Sequence, residues 1–356
     1  MSTAESLPYA VVVPTIGRPC LVDCFRALAA AAGPPPVEVV VVDDRPGARH
    51  TRAPLPLEEL GALRGRARTL RSGGRGPAAA RNAGWRTVGA PWVVFLDDDV
   101  RVGAAWRAEL ACELARAAAD VGGVQGIIEV PLPDGRRPTD WERNTAGLAG
   151  ARWATADMAY RLAALTAVGG FDERFPRAFR EDADLALRVM AAGWRLEPGA
   201  RTTRHPVRPA DRWVSLRTQA GNADDALMVR LHGAGWWRRA GAPRGRLRGH
   251  AAVTAAGVAA AALALSGRRS AGAAAAAGWA LGTAEFARSR IAPGPRTARE
   301  VATMLATSAA IPPLAVYHRL RGTWRYRAAR PLREPSVPPP VVEVPVRSAL
   351  REGPVP

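Results

Sequence analysis

The 356-residue chain contains no lysine, so all 50 of its Lys and Arg positions are arginine. Cysteine is almost as scarce. Cys20, Cys24 and Cys112 are odd in number, form no CxxC pair and have no histidine close by in sequence. That excludes a disulfide framework and argues against a zinc site, leaving small buried thiols in a reducing compartment. The N-terminus lacks a basic stretch ahead of its short apolar run and carries an early acid, so it is not expected to be a signal peptide. No internal repeat is evident. Long apolar runs are missing too: the weakly apolar stretches 251–266 and 301–318 have 16 and 18 residues, short of the roughly 20 that span a bilayer.

What is present is a globular composition, 48% hydrophobic and 23% charged, with much of the apolar share in alanine. The net charge of +18 is unevenly placed. Residues 1–200 carry 25 arginines against 24 acids, residues 201–330 carry 22 against five, and the rest of the chain is balanced. Basicity of this size points to nucleic acid or an anionic membrane as partner, but only for the last third. The first 200 residues are neutral and free to form an enzyme.

Along the chain, residues 9–14 and 37–42 read as β-branched strands, with an apolar-periodic helix over 21–32 between them. Such a βαβ unit implies parallel strands buried on both faces. A short strand at 69–70, a helix over 77–88, strands at 92–96 and 124–130, and helices over 157–168 and 181–192 continue an α/β pattern. Residues 211–250 read as a basic amphipathic connector, and 251–320 as apolar helices. Residues 321–356 read as a basic and then Pro-rich flexible tail.

In open α/β sheets ligands bind beyond the carboxyl ends of strands. Two strands here end in acids, VVVVDD at Asp43-Asp44 and VVFLDDD at Asp97-Asp98-Asp99. Three adjacent carboxylates repel one another unless a cation neutralises them, and hard divalent ions prefer such oxygen ligands. Taken alone, the same acids also suit a solvated turn.

The blocks VVVPT (11–15), VVVVDD (39–44), GPAAARNAGW (76–85), FLDDDV (95–100) and VGGFDERF with FREDADLALRV (168–189) resemble, in order and spacing, the family 2 glycosyltransferases over residues 8–210. The resemblance implies a GT-A fold, Rossmann-like with a mostly parallel sheet flanked by helices, and an inverting transfer from a nucleotide-diphospho-sugar. It implies that Pro14, Thr15, Asp43, Asp44, Arg81, Asp97 and Asp98 line the donor site. It further implies Mg²⁺ or Mn²⁺ on Asp97 and Asp99 with His205 beside it, Asp182 as catalytic base with Glu181, and Asp157 and Gly170 on the acceptor side. Where the family often has a serine shortly after the acidic pair, this chain has Arg45-Pro46. The QxxRW motif of processive synthases is missing, which implies transfer of one sugar per event.

Displacing a nucleoside diphosphate requires neutralisation of the leaving group and removal of a proton from the attacking hydroxyl, and a metal and a carboxylate base supply these. Two other classes compete. Gly74-Arg75-Gly76-Pro77-Ala78-Ala79 satisfies the GxGxxA form of a dinucleotide fingerprint, which would make an NAD(P)-dependent oxidoreductase. It follows two stronger strands, however, and leaves the acidic pairs unexplained. The basic third, with interleaved tryptophans, would alternatively make a nucleic-acid-binding or membrane-binding protein with a non-catalytic α/β domain. Apolar stretches bracketed by arginines suit an anionic membrane better than nucleic acid. The expected whole is a transferase on the cytoplasmic face of the cell membrane, acting on a glycan or lipid-linked acceptor of the envelope.

Overall fold

Four short strands rich in β-branched residues pair in parallel and set the frame: β1 (Tyr9–Thr15), β2 (Glu38–Asp43), β3 (Ala67–Arg71) and β4 (Trp92–Leu96). The computed structural model describes residues 7–47 and 53–331. With β5 (Arg101–Val102), β6 (Val121–Glu129), β7 (Asp157–Arg161) and β8 (Arg195–Arg204) they make an eight-stranded sheet of order β3-β2-β1-β4-β7-β6-β8-β5. β7 runs antiparallel to both β4 and β6, while β6 and β8 are parallel. The sheet is therefore mixed, but six of its eight strands run the same way, in keeping with the expected mostly parallel sheet.

Residues alternate across the strands, as a sheet covered on both faces requires. Val11, Val13, Val39, Val41 and Val94 pack under helices α1 (Leu21–Ala30) and α3 (Trp106–Arg116). Ala10, Val12, Val40, Val42 and Phe95 pack against the opposite layer. That layer contains α2 (Pro77–Trp85), α5 (Leu162–Val168) and α6 (Glu181–Ala191). A small helix, α4 (Asp140–Ala146), opens on a capping box between Thr139 and Glu142.

The expected helix over 157–168 is corrected. Its first five residues form β7 and only the remainder is helical, because Met158 and Tyr160 pack among the apolar residues of one face of the sheet while the Asp157 carboxylate is buried with Trp106 of the other layer.

Beyond the sheet come the short α7 (Val214–Arg217), α8 (Gly221–His232) and the short α9 (Trp236–Arg239), then α10 (Leu247–Leu265), α11 (Arg269–Ile291) and α12 (Ala298–Arg325). Leu227, Met228, Leu231 and Trp236 bury against Leu187 of α6 and Tyr326, fastening the basic region to the helical layer that contains α6. α10 is different: none of its residues is buried, and among the described residues it is the one helix long and apolar enough to cross a membrane. Its 19 residues measure about 28 Å, close to a bilayer's hydrocarbon thickness. The Pro-rich stretch after residue 331 lies outside the described residues.

Candidate functional site

β1, β2, β4, β6 and β8 all run in one direction, so their carboxyl ends share one edge. Thr15, Asp43, Asp97 to Asp99 and His205 all lie at those ends. Residues distant in sequence are thereby gathered, as the rule for open sheets requires.

The three aspartates after β4 point to three different partners. Asp97 accepts from Arg81 Nη2 at 2.7 Å through Oδ1. Asp98 is buried and accepts from Thr15 Oγ1 at 2.6 Å and Arg18 Nη1 at 2.8 Å, which ties it to the loop after β1. Asp99 is buried with Oδ1 3.4 Å from His205 Nε2 and Oδ2 2.8 Å from Arg208 Nε. Burial and the charge of Asp97 push the Asp99 carboxyl up, against the pull of His205 and Arg208. Pro14 sits half-buried on β1 opposite Val42 of β2.

Asp97, Asp99 and His205 can each offer a ligand atom within 4.8 Å of the other two. The arginines occupy Oδ1 of Asp97 and Oδ2 of Asp99, leaving the other oxygen of each free of them. His205 is buried and its Nδ1 has no hydrogen-bond partner among the described residues. Two carboxylate oxygens and an imidazole suit a divalent cation of the Mg²⁺ or Mn²⁺ kind, so the residues present fit such an ion.

Arg81, on α2, is fully buried and bridges the site: Nη1 donates to Glu181 Oε1 at 2.9 Å while Nη2 holds Asp97. Glu181 and Asp182 open α6 directly after Arg180, whose φ of 76° makes the sharp entry turn. Burial pushes Glu181 up to about 8, with the charge of Asp182 adding and Arg81 opposing. Burial also raises Asp182, against the Ala183 N–H, which donates to its Oδ1 at 2.7 Å, and the nearby Arg81. The Tyr160 hydroxyl is buried without a partner among the described residues, and the charge of Asp182 helps to hold it protonated. An acid pair of one buried and one half-buried carboxyl, both with raised proton affinity, is an arrangement found at catalytic sites.

Other expected residues have different placements. Both oxygens of Asp43 are held by Arg45, at 2.9 and 2.8 Å, so the Arg45-Pro46 departure from the family pattern pins the first acid of the pair. Asp44 accepts from Ser72 Oγ at 2.6 Å and from the Arg75 and Gly76 amides, both at 2.9 Å. Those amides precede α2, where a dinucleotide fingerprint would hold its phosphates. Asp44 fills that position, and the space beside Gly76 is closed by the Pro176 carbonyl, 2.7 Å from where a Cβ would lie. The fingerprint is a self-satisfied loop.

Asp157, expected on the acceptor side, lies in the interior at the start of β7. It is completely buried and accepts from Trp106 Nε1 at 2.7 Å, Thr203 Oγ1 at 2.6 Å and Arg201 Nε at 2.9 Å. With both of its oxygens engaged inside the sheet, it forms an interior ion pair with Arg201. Gly170 is buried at φ 77°, in a turn locked to α2 by the Asn82 side chain, which donates to the Phe171 carbonyl and accepts from the Phe171 N–H.

Sequence reasoning missed Arg18 and Arg208. Both are arginines among many, and no local signal separates them until the fold brings them to the acids.

Residues 10–167 match the model of glycosyl transferase family 2. No curated protein matches the chain in sequence. The fold resembles that of a mannosyltransferase from Pyrobaculum calidifontis in complex with GDP-Man and Mn²⁺, at TM-score 0.50 and 15% identity, covering 90% of this chain and 88% of that one. GalNAc-T7 with UDP, GalNAc and Mn²⁺ aligns at TM-score 0.46 and 15% identity over 66% of this chain and 53% of that chain. S. aureus TarS aligns at 0.46 and 14% over 90% and 55%. The chain thus spans about half the length of these last two. The architecture is of the GT-A type.

Proposed function

From residues 10–167, a family 2 glycosyltransferase segment, we propose that the protein moves one sugar from a nucleotide-diphospho-sugar to an acceptor hydroxyl with inversion at the anomeric carbon. The observation that carries this reading is the convergence of Asp97, Asp99 and His205 beside the Arg81-linked acids at the opening of α6.

Asp97, Asp99 and His205 would hold the divalent ion, Mg²⁺ or Mn²⁺. When bound, such an ion neutralises charge on the departing diphosphate. Thr15, Arg18 and Asp98 form the wall between the β1 and β4 ends, against which the nucleoside end of the donor would lie. Arg208 adds a cation at the diphosphate end, where its contact with Asp99 aims it. Asp182 takes the proton from the acceptor hydroxyl as that oxygen attacks. Glu181 holds Arg81, and through it Asp97, so the base and the metal-binding acids keep one geometry.

The acceptor is a lipid-linked or cell-envelope glycan, and the enzyme works at the cytoplasmic face of the membrane. The support for this is the unburied apolar α10 and the +17 charge of residues 201–330.

A screen of sugar nucleotides for diphosphate release, with Mg²⁺ or Mn²⁺ and beside Asp182→Asn and Asp99→Asn, tests the reading. A donor turned over by the wild type and spared by both variants is the expected result. Absence of any donor, or full activity in both variants, would overturn it.

A further inference from the structure

Toward the C-terminal end of α6, away from the acids that open it, lies a cavity of about 790 Å³ between that helix, α8 and α12. It begins beside Arg188 and extends past Ala191. These positions are six and nine residues beyond Asp182, hence about 9 and 14 Å along the helix axis. Its volume is that of a site for a sizeable small molecule, and most of its wall is aliphatic, with Leu187 and Val229 among the contributors.

Four arginines, Arg188, Arg230, Arg239 and Arg319, line the same space, and no carboxylate does. Three of them are engaged. Arg188 pairs with Asp184 at 2.7 Å, Arg230 donates to the Arg327 carbonyl at 2.9 Å, and Arg239 donates to the His232 carbonyl at 2.5 Å. Carbonyls leave the charges of the last two in place. The Arg319 guanidinium makes no hydrogen bond or ion pair among the described residues, and Asp225, the acid that influences it, is held by Arg180 at 2.8 Å. Burial pulls the Arg319 proton affinity below its ordinary value. A half-buried guanidinium without a partner, facing an apolar chamber, is a group that gains from an anion.

We propose that this cavity binds an anionic membrane lipid, its phosphate on Arg319 and its hydrocarbon along the aliphatic wall, at a site separate from sugar transfer. The occupant must be both charged and apolar, because the wall is both. A free phosphate would leave the aliphatic surface wet, and a neutral lipid would leave Arg319 unpaired. Pro331 lines the cavity, and the 25 residues that follow it in sequence carry three arginines and three acids and offer no net charge to match. α12, which supplies Arg319, also exposes Leu305, Leu320 and Trp324, so the helix that closes the cavity presents apolar side chains outward as well. A lipid held here anchors the helix that carries Asp182 at its other end.

The test titrates the full chain in neutral detergent with dioleoyl phosphatidylglycerol and counts bound lipid by native mass spectrometry. One lipid should bind saturably, Arg319→Gln should weaken it tenfold or more, and Arg319→Lys should lose less than Arg319→Gln. Ala191→Trp, which fills the chamber, should abolish binding, while Arg268→Gln in the turn between α10 and α11 should leave it unchanged. Circular dichroism establishes that each variant is folded, and should Ala191→Trp not fold, the Arg319 pair decides. Equal binding of phosphatidylcholine, displacement by inorganic phosphate at matching concentration, or wild-type affinity in Arg319→Gln would each overturn the proposal. Because the readout is binding, failure of the transferase reading leaves it standing, and the reverse also holds.

Discussion

Arg81 and Glu181, 100 residues apart in sequence, are joined in the interior by an Nη1 to Oε1 contact of 2.9 Å, and both side chains are almost completely buried. The other end of the same guanidinium holds Asp97. Because Glu181 can take up a proton when its partner is lost, removing Arg81 leaves a buried acid unsatisfied rather than a fixed charge, at about 1–3 kcal/mol. Arg81→Met should therefore lower unfolding stability by about that amount in a urea titration, and should also abolish diphosphate release by freeing Asp97. A variant of wild-type stability and activity would remove Arg81 from its bridging role.

The group formed by Asp97, Asp99 and His205 predicts a metal requirement. Chelation should stop turnover, and added Mn²⁺ or Mg²⁺ should restore it. His205→Ala should raise the metal concentration needed for half-maximal activity by about tenfold or more, as loss of a metal-site residue commonly does. Full activity in chelator would reject the assignment.

The α/β order, the acidic strand ends and the ED pair opening α6 were legible because each carries a local signature: β-branched runs, terminal acids, and acids in the first turn of an apolar-periodic helix. Three features were not. β7 was read as the start of a helix, since Asp157 to Arg161 is too short for its period to be told from helix, and only its antiparallel pairing with β4 decides. Asp157 was expected on the acceptor side, but its burial with Arg201 depends on a strand 44 residues away. Arg18 and Arg208 had no distinguishing neighbours, because an arginine's role depends on which acid the fold brings to it.

Asp182→Asn retains the shape of the side chain and removes its basicity. General-base assistance contributes about 10²- to 10⁴-fold, so kcat should fall by that factor while donor affinity, measured by equilibrium binding, stays within about threefold. A loss confined to donor affinity would mean that Asp182 binds substrate without taking its proton.

Gly170 adopts φ 77°, and a Cβ there would lie 2.5 Å from Trp85 Nε1 and 2.6 Å from Asn82 Oδ1. Gly170→Ala must strain the backbone and displace the amide that holds Phe171. A stability loss of at least about 1–3 kcal/mol is expected from the backbone alone, with the thermal midpoint falling accordingly. An unchanged midpoint would show that the turn can rearrange freely.

Asp184 gives the pH dependence. Burial would raise its proton affinity, but His232 Nε2 at 2.8 Å and Arg188 at 2.7 Å overcome this and hold the carboxyl below its ordinary value. A carboxylate depressed on folding contributes stability above the unfolded value of about 3.9, and that stability is lost as pH falls through the folded one. Asp184→Asn should therefore cost about 3 kcal/mol at pH 7, where Arg188 loses its counter-charge. The cost should shrink as pH falls below about 4, because the wild type then surrenders the same interaction. Urea midpoints of both proteins across pH 3 to 7 measure the difference, and a gap constant over that range would mean that Asp184 does not titrate with unfolding.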